Sequence, residues 1–175
     1  LDLAHEFRYR DPVIGPDTLV ISISQSGETM DTLMAVKYAR EKGAKTLSVC
    51  NTQGATIPRE SEAVVYTHAG PEVAVASTKA FVAQVAALQL LGLHLGRVRG
   101  SISDADHREA LAELQAVPEK LATVIATSKE KIEQLAHWMA DTQSVLFLGR
   151  HVGFPVALEG ALKLKELAYI HAEGF

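Results

Sequence analysis

Short β-branched runs alternate with stretches of helical periodicity along most of this chain. Residues 18–23, TLVISI, form an apolar run that ends in the polar cluster SQSGET, the pattern of a buried parallel strand. From Thr29 to Lys42 the apolar positions Met30, Leu33, Met34 and Tyr38 recur at helical spacing, and Gly43 ends the helix. KTLSVC (45–50) and EAVVYT (62–67) predict two more strands, separated by the turn-rich loop NTQGATIPRES. Strand, helix, strand, loop and strand without hairpin turns require crossover connections, which predicts an α/β fold: a three-layer parallel sheet flanked by helices.

The next helix is predicted from Ser77 or Thr78, either a suitable N-cap, to about Leu95. Between Ala80 and Leu95 only Gln84, Gln89 and His94 interrupt its apolar character. That run is shorter than the roughly 20 residues a membrane span requires and carries two amides, so a span is rejected. A helix buried on all sides is expected instead, with the sheet on one face and a partner subunit on the other. The polar stretch RVRGSISDAD then marks a boundary, and residues 104–116 and 118–141 read as two or three short amphipathic helices. SVLFLG (144–149) predicts another strand, and Pro155 to Tyr169 another helix, echoing the first strand–helix pair. The expected organisation is a first subdomain over 1–100, a helical connector over 101–142, and the start of a second subdomain over 143–175.

Composition narrows the partners. Of 175 residues, 47% are apolar and 22% charged, which suits a globular protein with a real core. A formal net charge of -4 gives no reason to expect a nucleic-acid or membrane partner. Any bound anion must therefore be held by a local site. Cys50 is the only cysteine, which excludes an internal disulfide and a thiolate zinc cluster and fits a reducing, cytoplasmic compartment. The opening LDLAHEFRYR lacks a methionine and resembles neither a signal nor a transit peptide. With the abrupt end at IHAEGF, it leads us to expect a piece of a longer protein.

Two places carry candidate chemistry. In a parallel sheet, ligands bind at the carboxyl ends of the strands, where Ser24, Gln25, Ser26, Gly27 and Thr29 crowd between strand and helix. A helix start offers free N–H groups and partial positive charge, and the hydroxyls and amide add neutral donors, which suits a phosphate monoester. The same spacing also serves an ordinary N-cap with solvated serines, and Glu28 opposes an anion. GPEVAVASTKAF (70–81) is a second such helix start, with Val75 and Ser77 in its loop. The nucleotide-binding pattern G-x-x-x-x-G-K-[ST] does not occur.

The second place is the last helix, where Glu159, Lys163 and Glu166 stand four and three residues apart on one face. This is either a surface salt-bridge ladder or a carboxylate base poised by an ammonium group, suited to moving a proton between adjacent sugar carbons. Gly160 within this helix points to a close packing or ligand contact. His171 and Glu173 follow just beyond it.

HEFRYR (5–10), ISQSGETMDTL (23–33), EVAVASTKAF (72–81) and ALEGALKLKELAYIHAEGF (157–175) together resemble, in order and spacing, the sugar-isomerase (SIS) part of the glutamine–fructose-6-phosphate aminotransferase family. The resemblance implies a SIS fold, with the first subdomain lacking its first strand and the second cut short. It implies that Ser24, Gln25, Ser26 and Thr29 form the family's S-Q-S-x-x-T cradle for a hexose 6-phosphate, and that Val75 and Ser77 contact the sugar. Glu166 would be the base shuttling the C1–C2 proton, Lys163 the lysine linked to proton abstraction, and Glu159 its carboxylate neighbour. The family further implies a homodimer, a glutaminase domain in the parent chain, a role in amino-sugar biosynthesis, and neither metal nor organic cofactor. Without the glutaminase domain and the C-terminal tail, this stretch is expected to be inactive alone. The alternative is a non-catalytic SIS module that senses a sugar phosphate, which would need the serine turn but not the Glu–Lys–Glu stripe.

Overall fold

The TLVISI run forms β1 (Leu19–Ser24), which pairs in parallel with β2 (Lys45–Cys50), and β2 pairs in parallel with β3 (Ala63–Tyr66). The computed structural model describes all 175 residues. They fall into two units: Leu1–Val73 with Ser77–Arg108, and Ala74–Ala76 with Glu109–Phe175.

In the first unit the strand order is β1-β2-β3, and Leu19 stands opposite Lys45 while Leu47 stands opposite Ala63. A four-residue helix, α1 (Ala4–Phe7), precedes the sheet, and α2 (Met30–Glu41) makes the β1–β2 crossover. The buried residues of α2 are Thr32, Leu33, Ala35, Val36 and Ala39, a single face at helical spacing. Leu33 and Val36 meet the fully buried Ile57. Ile57 belongs to α3 (Thr56–Glu60), a short helix inside the segment expected to be loop. Five residues with a proline among them are too few to display a period.

Polar groups under this sheet are paired. Ser61 donates from Oγ to the Ile57 carbonyl at 2.9 Å, Ser48 bonds Ser61, and the Ser22 and Ser48 hydroxyls lie 2.7 Å apart. One donor per hydroxyl runs the chain in a single direction, so the buried Ser22 and Ser48 cost little.

Two expectations need correction. Within this chain the fourth helix, α4 (Lys79–Val98), buries only Ala80 and Ala87 and leaves Val82, Val85, Leu90 and Val98 exposed, as a face awaiting the expected partner subunit would be; its length does differ from the expectation. At 20 residues it is longer than the apolar run read from the sequence, and long and apolar enough to cross a membrane. In the structure, its Ala83, Ala87, Leu90 and Leu91 line a cleft with Val65, Tyr66 and Thr67 at β3. The expected short helices are instead one continuous helix, α5 (Asp104–Trp138), with Pro118 inside it. Proline removes one hydrogen bond and usually breaks a helix interior. Here α5 buries no residue, so the missing bond costs less than it would within a core.

The second unit contains the later part of α5 and a parallel pair, β4 (Ser144–Phe147) and β5 (His171–Gly174), joined by α6 (Gly153–Ala168). β5 was not expected, because HAEG carries no β-branched or aromatic residue. Small residues set the spacing: Ala157, Ala161 and Ala172 are buried, and a Cβ at Gly160 would lie 2.9 Å from the Phe147 ring. Tyr169, left-handed at φ 56°, ends the helix and turns the chain into β5. A Cβ at Gly174 would meet the Leu158 backbone at 2.9 Å, where no side-chain rotation can relieve the overlap. Gly174→Ala is therefore expected to destabilise this unit by about 1–3 kcal/mol, read as a lower urea midpoint with an unchanged slope.

Candidate functional site

At the end of β1, Ser24 is buried and its Oγ accepts the Gly27 N–H at 3.0 Å. The same oxygen lies 3.2 Å from Thr29 Oγ1. Ser26 Oγ accepts the Glu28 N–H at 3.2 Å. Thr29 holds the N-cap position of α2, yet its hydroxyl turns back to Ser24 and no side chain caps the helix. An ordinary cap would put a side-chain oxygen on an amide of the first turn. The arrangement instead gathers three hydroxyls beside a helix start whose first-turn amides keep their donor capacity.

The backbone of this turn is tied down from the other side. The Gln25 carbonyl accepts N–H bonds from Asn51 and Thr52, each at 3.2 Å, and the Gly27 carbonyl accepts the Ile57 N–H at 2.9 Å. Gly27 has φ +69°, and a Cβ there would lie 2.6 Å from Ala55 Cβ and 2.8 Å from Cys50 Sγ. Only glycine meets both conditions. Glu28, which the sequence marks as opposing an anion, directs its carboxylate to the Thr56 N–H at 2.8 Å. Thr56, through its side chain and its N–H, holds the Glu28 carboxyl below the usual carboxylate range.

The start of α4 is built differently. Thr78 holds the N-cap position without a side-chain cap bond of its own. The capping group, unseen in the sequence, is Glu72. Its carboxylate accepts the N–H groups of Ala80 at 3.1 Å and Thr78 at 3.2 Å, and the Thr78 hydroxyl at 3.3 Å. The Ala80 N–H bond leads in lowering the Glu72 pKa. No capping pattern marks Glu72, because it lies six residues before Thr78. With a carboxylate already on its amides, this helix start is poorly suited to a second anion. Ser77 Oγ is buried without a hydrogen-bond partner, and Val75 is 90% exposed.

In the second unit, Lys163 Nζ lies 3.2 Å from Glu159 Oε1 and 2.9 Å from Glu166 Oε2. The side chains are 23%, 25% and 37% exposed for Lys163, Glu159 and Glu166, so the trio is not a fully solvated ladder. Burial works to lower the Lys163 pKa, but its bonds to Glu166 and Glu159 prevail and raise it. Lys163 is therefore held as an ammonium, able to stabilise negative charge that develops beside it. Glu173 Oε1 on β5 lies 3.8 Å from Lys165 Nζ and 4.0 Å from His171 Nε2. Two apolar clefts lie elsewhere, one beside β1 and α2 and the other between β3 and α4.

Residues 1–94 match the SIS-domain family, more than half of the sequence. The chain belongs to the SIS-domain family. It is 76% identical over all 175 residues to a protein named glutamine–fructose-6-phosphate aminotransferase [isomerizing] from Leifsonia xyli subsp. xyli, and 62% identical to its namesake from Corynebacterium diphtheriae. It spans 28% of the length of each. Among solved structures, the C-terminal domain of glucosamine-fructose-6-phosphate aminotransferase from Francisella tularensis superposes with a TM-score of 0.94 at 38% identity. That match covers 99% of this chain and 49% of the other. The SIS match contains the Ser24–Thr29 turn and the Glu72–Ser77 strap, whereas α6 lies beyond it.

The tight seat of Gly27 in this SIS unit gives a direct test. Gly27→Ala combines a left-handed backbone, costing about 1–2 kcal/mol, with overlap on Ala55 and Cys50. We expect a loss of about 2–4 kcal/mol in urea unfolding, larger than for Ser26→Ala.

Proposed function

We propose that this chain is the sugar-isomerase part of an enzyme that converts fructose 6-phosphate and glutamine-derived ammonia to glucosamine 6-phosphate. The observation that carries the reading is the contrast between two helix starts: α2 has no side-chain cap and is ringed by hydroxyls, whereas α4 already holds a carboxylate. Ser24, Gln25, Ser26 and Thr29 take the phosphoryl group. Val75 and Ser77 contact the sugar, a role supported by the buried, unpartnered Ser77 hydroxyl, which a sugar hydroxyl would satisfy.

Isomerisation between C1 and C2 moves one proton and builds negative charge on the neighbouring oxygen. Glu166 is the base for that proton. Lys163, held as an ammonium by Glu159 and Glu166, stabilises the charge as it develops. A module that only senses sugar phosphate gains nothing from this trio. The close likeness to the named aminotransferases supports the substrate and the amino-sugar pathway. We further propose subdomain bounds of 1–100, 101–142 and 143–175, a glutaminase domain in the parent chain, and a cytoplasmic homodimer using the exposed apolar face of α4.

In the full-length protein, Glu166→Gln is expected to lower kcat by about 100-fold or more while calorimetry shows fructose 6-phosphate still bound; undiminished turnover refutes the base. Ser26→Ala with Thr29→Ala is expected to weaken fructose 6-phosphate binding about tenfold or more with the fold intact by circular dichroism. Unchanged affinity would return those hydroxyls to a purely structural role.

A further inference from the structure

A trans peptide unit carries its carbonyl and its amide on opposite sides, and every peptide bond in this protein is trans. The Gln25 carbonyl is bonded to the Asn51 and Thr52 amides, so the Ser26 N–H of the same peptide unit faces away from the 51–57 segment. The Gly27 carbonyl is bonded to the Ile57 amide, so the Glu28 N–H also faces away, where it is donated to Ser26 Oγ at 3.2 Å and orients that hydroxyl. These contacts settle which side of the turn presents donors. The Glu28 carboxylate, which accepts the Thr56 N–H at 2.8 Å, ties the turn to α3 by a side chain in addition to the Gly27–Ile57 backbone bond.

We propose that Glu28 is the positioning residue of the phosphate-binding turn: by holding Thr56 it keeps the Ser26 N–H and hydroxyl aimed at a phosphate monoester, so that an acidic side chain strengthens the binding of an anion. This rests on the reading of Ser24–Thr29 as a phosphate cradle. It also explains why a carboxylate is tolerated beside that cradle. A free carboxylate there would repel a phosphate dianion; one engaged by the Thr56 amide has its charge drawn to the α3 side.

The two possible effects of Glu28 have opposite signs, which makes the test sharp. In the full-length protein, Glu28→Ala is expected to raise KM for fructose 6-phosphate about tenfold with kcat within about twofold. Glu28→Gln keeps an acceptor oxygen and is expected to hold KM within about threefold of the parent. Thr56→Pro removes the donor instead of the acceptor. Thr56 is the first residue of α3, where proline is accepted, and Ala55 at φ −66°, ψ 168° already has the extended backbone that precedes proline. Thr56→Pro is expected to raise KM as Glu28→Ala does, and the double variant to add little to either. A KM that falls or stays unchanged in Glu28→Ala shows a mere repelling or idle charge and overturns the proposal, as does full additivity in the double variant. Should Glu28→Ala not fold, Thr56→Pro tests the same bond from its donor side, and an unchanged KM there overturns the proposal equally. If Ser26→Ala with Thr29→Ala leaves KM unchanged, the cradle reading falls and the proposal with it; if that pair raises KM and Glu28→Ala does not, only the role of Glu28 falls.

Discussion

Backbone carbonyls buried against a neighbouring segment decide where the opposite amides point, and the first unit is organised around one such arrangement. β1 ends at Ser24, and the next carbonyls, at Gln25 and Gly27, are both consumed by amides of the 51–57 segment. That segment is anchored because Ile57 enters the core beside Leu33 and Val36. The seating of α3 and the direction of the donors at the start of α2 are thus one structural fact. At Gly27 the 51–57 segment lies so near that a side chain has no room.

The two helix starts of this unit show how one local geometry is assigned different tasks. Both follow small-residue loops and both carry hydroxyls. At α4 the Glu72 carboxylate satisfies two amides and a hydroxyl. At α2 the Glu28 carboxylate is bonded to another helix, Asp31 stands in the first turn without capping an amide, and the hydroxyls of Ser24 and Thr29 bond one another. The same dipole is internally neutralised in one case and left to act in the other.

In the second unit, packing sets the character of the charged stripe. Ala157, Ala161, Gly160 and Gly174 let α6 lie close on β4 and β5. Close approach on one side of the helix leaves Glu159 and Lys163 only partly exposed on another, where their attraction is less screened than on an open surface. The ammonium of Lys163 is then fixed by carboxylates on both sides rather than by either alone.

Much of this was legible along the chain. β-branched runs closed by polar residues located β1, β2, β3 and β4, and helical spacing located α2, α4 and α6, because those signals arise from burial on one side of a regular element. The serine turn and the Glu–Lys–Glu stripe were visible because each is a short local pattern, one at a strand–helix junction and one within a single helix. What the chain could not announce depends on residues distant in sequence. α3 is too short to show a period and β5 has no β-branched or aromatic residue, while the burial of Ile57 and Ala172 that secures them comes from other elements. α5 reads as broken at Pro118 but continues, since a helix without buried residues tolerates the lost bond. α4 reads as buried all round, yet this chain covers only part of it. The partners of the Glu28 and Glu72 carboxylates, and so the roles of two acidic residues beside proposed binding loops, were decided only when the chain folded, because a charge is directed by the amides that reach it in space and not by its neighbours in sequence.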